Sequence, residues 1–195
     1  MYKRQPFDTL VGGGDYAFGG AFPDDSLALV VERGLTCVRG NTDEWIIEAA
    51  TNGRQPAHGY EPEQAHSELL RSVDAWAAAR LSDDHRQLLA NLPVSWETTG
   101  PSGQTLAFVH STPWSTHPVI LPDAPEEMAR RMLDAAGAQM LLYGHIHYAY
   151  TRQVDDRTLA CVGSVGRPFD GDCRPALPVS EEVCAARAAR VFFVK

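Results

Sequence analysis

The sequence predicts an α/β fold, and three observations carry that prediction. Two short apolar segments end in glycine followed by polar residues: Leu10-Val11 runs into Gly12-Gly13-Gly14-Asp15, and Leu35-Thr36-Cys37-Val38 leads to Gly40-Asn41-Thr42-Asp43. A segment of helical periodicity lies between them, and strand, helix, strand is the order in which sites gather at the carboxyl ends of strands. The third observation is Gly144-His145-Ile146-His147, two imidazoles just after the apolar run Met140-Leu141-Leu142-Tyr143. Side chains two apart on an extended backbone point to one face, so both rings can converge on one place, with Gly144 leaving the approach open. Histidine is a common transition-metal ligand; a solvated or core-satisfied pair is the bland alternative.

The elements follow in order. The first helix is expected over 24–33, capped by Asp24 or Asp25, with Leu27, Val30 and Val31 as its apolar stripe and Gly34 as its stop. From Trp45 to about Pro93 the chain reads as a helical insert with a polar break around 52–62. Within it, Ser67 to Arg80 carries Leu69, Leu70, Val73 and Trp76 at helical spacing. Ser82-Asp83-Asp84 starts a helix with Leu88, Leu89 and Leu92 on its apolar face, and Pro93 ends it. Val94–Glu97 and Gln104–Val109 form a hairpin that delivers His110 at its exit. Asp123, with Pro125 and Glu126 behind it, opens a helix through about Ala136 that Gly137 closes. A last β region holds Thr158–Val162, the turn Gly163-Ser164-Val165-Gly166, and Ala189–Val194. With no repeat and no low-complexity linker, 1–195 reads as one domain.

Composition narrows the function. The chain has 195 residues, 44% of them hydrophobic and 22% charged, as in an ordinary globular domain with a sizeable core. No apolar run approaches the roughly 20 residues of a membrane span, and the amino terminus has no signal-peptide core, so a cytoplasmic protein is expected. A net charge of −8 argues against tight, sequence-independent nucleic-acid binding and leaves short oligonucleotides at most. The four cysteines, Cys37, Cys161, Cys173 and Cys184, show no CxxC pair and read as reduced packing residues. Cys161, just before a glycine-rich turn, comes closest to a functional role.

Four strand exits therefore carry Asp15, Asn41, His110 and the pair His145 and His147. Imidazoles, a carboxylate and an amide oxygen suit Mn, Fe, Ni or Zn. The blocks Gly14-Asp15, Gly40-Asn41-Thr42-Asp43, Val109-His110-Ser111-Thr112-Pro113 and Gly144-His145-Ile146-His147 resemble, in order and interval, those of the calcineurin-like metallophosphoesterases. Gly163-Ser164-Val165-Gly166-Arg167-Pro168 and Asp170-Gly171-Asp172 are similar to the small bacterial and archaeal phosphodiesterase branch. The resemblance implies an α/β/β/α sandwich, two mixed sheets face to face with helices outside. It also implies two divalent ions, with Asp15 bridging them, Asn41, His110 and His145 on the second and His147 on the first. Such a pair clamps both oxygens of an in-line displacement and lowers the pKa of a bound water to about 7, so a hydroxide nucleophile exists at neutral pH. The implied partner is a small phosphate ester; the sequence leaves the oligomeric state open.

Two departures qualify the resemblance. The family opens with a strand ending in Asp-x-His, which supplies ligands to the first ion, and nothing before Asp15 resembles it. One strand and one helix of the fold are therefore missing from the sequence, on the order of 30 residues. A recorded start that is too late, a truncation and a real loss of the first site are the competing explanations, and the first two are favoured. The only other Asp-x-His, Asp83-Asp84-His85, falls at a helix start, where residues two apart cannot chelate one ion, and reads as an acidic first turn. The second departure is Thr42, which stands where many relatives place the histidine thought to protonate the leaving group. General acid catalysis contributes about a hundred- to ten-thousandfold, so its absence favours substrates with stable leaving groups, diesters over alkyl monoesters.

Thr42 and Arg167 are candidate substrate contacts, while Asp43 and Arg167 equally suit structural roles. Cys161-Val162 replaces the Asn-Pro common in relatives. His58, His66 and His117 lack glycine-opened strand exits and read as solvated or hydrogen-bonded; His117, just past a ligand loop, is the least secure. The expected function is a metal-dependent phosphoesterase acting on small phosphodiesters, with the second metal site better formed than the first. The alternative is a non-catalytic metal-binding or scaffold protein on the same fold.

Overall fold

In chain order the elements are β1 (Val11–Gly12), α1 (Pro23–Glu32), β2 (Thr36–Cys37), α2 (Asn41–Asn52), α3 (Ala65–Ala78), α4 (Asp83–Ala90), β3 (Ser95–Thr99), β4 (Thr105–Val109), α5 (Glu126–Ala136), β5 (Met140–Tyr143), β6 (Ala149–Val154) and β7 (Arg157–Val162). They come from a computed structural model that describes residues 9–52, 65–100 and 103–169. β1 and β2 pair in parallel as a small sheet. The larger sheet has the order β3-β4-β5-β7-β6, with its three central strands parallel and both outer strands antiparallel to their neighbours.

The central strands are apolar without alternation because both their faces are covered. With side chains alternating along each strand, Leu106, Phe108, Met140, Leu142, Ala160 and Val162 pack against Val11 and Val38 of the small-sheet region. Ala107, Val109, Leu141, Tyr143, Leu159 and Cys161 pack the other way, against Ala129, Met132 and Leu133 of α5. On the far side of the small sheet, Leu27 and Val30 of α1, Ile46 of α2, Ala77 and Ala78 of α3 and Leu89 of α4 form a third cluster around Tyr16. The layers are thus helices, small sheet, large sheet, helix: the expected α/β/β/α arrangement.

Several expected details differ. The helix placed from Trp45 begins at Asn41, so Asn41 and Thr42 lie in the first turn of α2 rather than in a strand-exit loop. α1 starts at Pro23, so the expected caps Asp24 and Asp25 lie inside its first turn, and Phe22, which has no polar side chain, stands at the N-cap. Of its expected stripe, Leu27 and Val30 are buried but Val31 is exposed. α3 turns Asp74, Ala77 and Ala78 inward and leaves Leu69 and Trp76 exposed, since the close approach of α2 admits small side chains there. α5 begins at Glu126 behind Pro125, three residues beyond Asp123. β6 is an element outside those expected; it is an edge strand, half-buried along most of its length, that is joined to β7 through Asp155-Asp156, with Asp155 at φ 56°. The expected strand Ala189–Val194, Asp170-Gly171-Asp172, Cys173, Cys184 and His58 lie outside the described residues.

Two long-range contacts set the helical layer beside the sheets. Arg39 donates to the carbonyls of Ala90 (3.0 Å) and Leu92 (2.8 Å) at the end of α4, where a cation also meets the negative end of the helix dipole. The Asp24 carboxylate accepts from the amide (2.8 Å) and hydroxyl (3.1 Å) of Ser82 and lies 2.6 Å from His85 Nδ1, tying α1 to the start of α4. Arg39→Ala should lower unfolding free energy by about 1–2 kcal/mol in urea titration. The Ser82 amide first, and then His85, hold the Asp24 carboxyl below its ordinary value. Its contribution to stability is therefore present above about pH 4 and lost as pH falls through the lowered folded value. Asp24→Asn should lower the melting temperature at pH 7 and converge on the parent below that range; a constant gap down to pH 2 would contradict this.

Candidate metal centre

The site begins with a close approach of two backbones. β1 exits through Gly13-Gly14-Asp15, and the segment after β2 enters α2 through Gly40. A Cβ on Gly14, whose φ is 95°, would lie 2.6 Å from the Gly40 Cα, and a Cβ on Gly40 would lie 2.6 Å from the Asp15 amide. Glycine is required at both places. Asp15, itself at φ 63°, puts its carboxylate where the N-cap side chain of α2 would be: Oδ1 accepts from the Thr42 amide (2.9 Å) and hydroxyl (2.8 Å). Asp43, at the third position of the helix, reaches back to the Gly40 amide (2.8 Å) and also takes the amides of Asp15 (2.8 Å) and Tyr16 (3.0 Å). Burial, and then the charge of Asp15, push the Asp43 carboxyl up; the three amide donors pull it down.

Asn41, at the first position of α2, is brought to His110 at the exit of β4 and His145 beyond the exit of β5. His110 Nε2 lies 2.9 Å from Asn41 Oδ1 and 3.1 Å from His145 Nδ1, and His145 Nδ1 lies 3.1 Å from Asn41 Oδ1. Asp15 Oδ2 is 3.5 Å from His110 Nε2. The outer nitrogens of the rings decide the chemistry. His110 Nδ1 faces the Gly13 carbonyl (2.6 Å), His145 Nε2 the His117 carbonyl (3.1 Å) and His147 Nδ1 the Arg167 carbonyl (2.6 Å). A carbonyl only accepts, so in the neutral ring each of those nitrogens carries the hydrogen and the other presents its lone pair. Two imidazole lone pairs, an amide oxygen and a carboxylate oxygen are thereby gathered with their electron pairs inward, an arrangement a cation stabilises. Donors at right angles on an ion with bonds of about 2.1 Å lie about 3.0 Å apart, so the donor set fits a divalent metal. Among the described residues no three His, Cys, Asp or Glu side chains form such a group by themselves; the three groups in closest contact are Asn41, His110 and His145, and one of them is an amide.

Asp15, Asn41, His110 and His145 therefore come together, and His147 lines the same cleft as Asp15, Asn41 and His145. The extended-backbone argument for the histidine pair does not hold. β5 ends at Tyr143, and His145 and His147 sit at φ 65° and 62°, so the backbone that carries them is left-handed rather than extended. Nor is Gly144 a steric requirement, since a Cβ there would meet the His110 carbonyl at an ordinary 3.7 Å. Three of the four non-glycine residues at positive φ among the described residues are Asp15, His145 and His147; left-handed backbone of this kind is disfavoured by about 1–2 kcal/mol per residue and collects at functional sites. Thr42 lines the cleft, yet its hydroxyl hydrogen goes to Asp15. Cys161 is fully buried, donates to the Gly144 carbonyl, and burial pushes its thiol up to about 12; it packs rather than reacts. Asp83 and Asp84 form the acidic first turn of α4, as that reading implied, and His85 ties the helix to Asp24. His117 supplies the carbonyl that orients His145, a role invisible in its side-chain type.

A cleft of about 550 Å³ opens over the site, lined by Asp15, Asn41, Thr42, His145 and His147 and by Phe18, Trp45, Leu70, Arg167 and Phe169. His147 is fixed in its wall: Phe169 stacks on its ring at 4.8 Å, and the Phe169 amide donates to its carbonyl (3.1 Å).

The family model of the calcineurin-like phosphoesterase superfamily domain matches residues 2–179. The chain belongs to this superfamily of metal-dependent phosphoesterases. Its fold is similar to that of a hypothetical protein from Pyrococcus horikoshii OT3, with 19% identity, TM-score 0.62, and coverage of 81% of this chain and 63% of that one. It is also similar to a metallophosphoesterase from Sphaerobacter thermophilus, with 21% identity, TM-score 0.62, and coverage of 85% and 69%. The chain thus spans less than two thirds of the Pyrococcus protein. No curated protein matches it. Among the described residues no helix is long and apolar enough to cross a membrane.

Gly40→Ala should be severely destabilising, by about 3 kcal/mol or more, because the added methyl meets backbone that cannot retreat; thermal unfolding checks it. Thr42→Val should leave the fold intact but weaken Mn binding about ten- to a hundredfold, measured by calorimetry, since it frees the carboxylate its hydroxyl orients.

Proposed function

We propose that this superfamily member hydrolyses small phosphodiesters with divalent metal ions held by Asp15, Asn41, His110, His145 and His147. The observation that supports this most is the inward convergence of the His110 Nε2 and His145 Nδ1 lone pairs on Asn41 Oδ1, each ring locked by a backbone carbonyl on its other nitrogen. Asn41, His110 and His145 would hold one ion, His147 would contribute to the other, and Asp15 would serve both. Bound divalent ions of this kind supply Lewis acidity to the phosphoryl oxygens and a water acidified to about neutral pH.

The chain's own groups do the rest. Thr42 fixes the Asp15 carboxylate through Oδ1 and so turns Oδ2 toward His110. Arg167, in the wall of the same cleft, offers its charge to a phosphate oxygen. At position 42 there is no proton for the leaving group, because the Thr42 hydroxyl already donates to Asp15 and has no useful acidity near neutral pH. Esters whose leaving oxygen departs without protonation, aryl and other activated diesters, are therefore the favoured substrates over alkyl monoesters.

That same commitment of Thr42 favours a second reading, a metal-binding protein that performs no hydrolysis. Turnover separates the two. The protein expressed from its full reading frame and loaded with Mn, Ni or Zn should hydrolyse bis(p-nitrophenyl) phosphate in preference to p-nitrophenyl phosphate. His145→Ala should reduce both bound metal and rate, the rate by about a hundredfold or more. Bound metal without metal-dependent turnover would select the second reading, and no bound metal would sink both.

A further inference from the structure

We infer that the cleft carries a subsite for one planar aromatic group esterified to the phosphate, formed by Phe18, Trp45 and Phe169 with Arg167 beside them. The inference rests on the phosphoester reading above and adds the chemical class of the substituent. The cleft is continuous with the candidate metal centre, and its volume of about 550 Å³ is that of a small-molecule site. Beyond the polar groups its lining is mainly rings, and each ring is fixed. Trp45 meets Phe18 edge-on at 6.5 Å and packs against the His117 ring at 5.9 Å. Phe169 stacks on His147 at 4.8 Å with an angle of 25° between planes, and Tyr148 meets it edge-on at 6.3 Å. Despite those contacts Phe169 remains 49% exposed. A phenyl ring held this firmly and left this open presents a prepaid stacking surface, whereas a free surface ring would have to be ordered on binding.

Charge narrows the class further. Arg167, whose guanidinium lies 5.3 Å from the Phe169 ring centre, is the one Lys or Arg among the described residues that line the cleft. A polyphosphate chain needs several such partners; one singly charged diester needs one beside the metal. Aromatic stacking and a cation over the ring both reward a flat π-system, and an alkyl chain of equal area receives neither.

The test is calorimetry on the Mn-loaded protein with ligand pairs that share the phosphoryl group and differ in the ring: phenylphosphonate against methylphosphonate, and adenosine 5′-monophosphate against ribose 5-phosphate. The aromatic member should bind more tightly, by about five- to a hundredfold, the range expected for one stacked ring. Phe169→Ala and, separately, Phe18→Ala should bring the ratio towards one. Both members of a pair use the same phosphate site, so the ratio is insensitive to how much metal a variant retains. A larger ratio for the adenosine pair identifies a nucleobase, a larger ratio for the phenyl pair a smaller aryl group; either supports the subsite. Equal affinities within both pairs, a ratio unchanged in both variants, or hexylphosphonate binding as tightly as phenylphosphonate overturns it while leaving the phosphoester reading in place. Failure of every phosphonate and phosphate to bind overturns that reading and the subsite with it.

Discussion

The arrangement on which the rest of the site depends is the capping of one helix by a carboxylate from another strand. Gly40 gives α2 no side chain at its N-cap, and Asp15, arriving from β1, takes that place through Oδ1. The positive end of the α2 dipole and the two donors of Thr42 stabilise the ionised carboxylate where it is needed. The constraint is mutual. Gly40 must lack a Cβ because Asp15 fills that space, Gly14 must lack one because Gly40 lies against it, and Asp15 must adopt positive φ to make the turn. Asp43 then binds three amides from both segments into one unit. Asn41 is placed as a consequence, since the first position of α2 can point only where the capped helix start allows.

A second layer of backbone control acts on the histidines. Their hydrogens are assigned by carbonyls of Gly13, His117 and Arg167, which belong to three different loops. The same contacts knit those loops together: the Gly144 amide donates to the His110 carbonyl (2.9 Å), and Phe169 is tied to His147 through both backbone and ring. Positioning of the candidate ligands and construction of the cleft wall are thus one problem, solved with one set of hydrogen bonds. In water these lone-pair contacts would be unfavourable; held in a buried, pre-organised cluster they define a place for positive charge.

The parts of this that were legible in the sequence are those that depend on near neighbours. The two-face burial of β4, β5 and β7 is written in the unbroken apolar runs, and the hairpin, the Ser82 start of α4 and the Gly137 stop of α5 each follow from local chemistry. β6 is hard to read although Tyr150, Thr151 and Val154 favour strand and Asp155-Asp156 marks a turn, because an edge strand alternates weakly. The inward face of α3 departs from its apolar spacing because contact with α2 selects small residues over Leu69 and Trp76. The first turn of α2 carries no local start signal because its cap comes from a residue 27 positions from Thr42, and no helix-start rule scans that far.

The sequence by itself determined which residues were available for chemistry and that strands would alternate with helices, since periodicity, glycine and capping signals act over one or two turns; the layered sandwich was implied by the family resemblance. Only the tertiary structure decided how those residues are used. The carbonyl that orients His110 is 97 residues away, that of His145 is 28 away and that of His147 is 20 away, so the nitrogen each ring presents cannot be read from its own neighbourhood. The role of Thr42 turned on the same fact. As a sequence letter it marks the loss of an acid, and in the fold it is the donor that holds Asp15 in place, because hydrogen bonds are settled by proximity in space and only the packed sheets bring those two residues together.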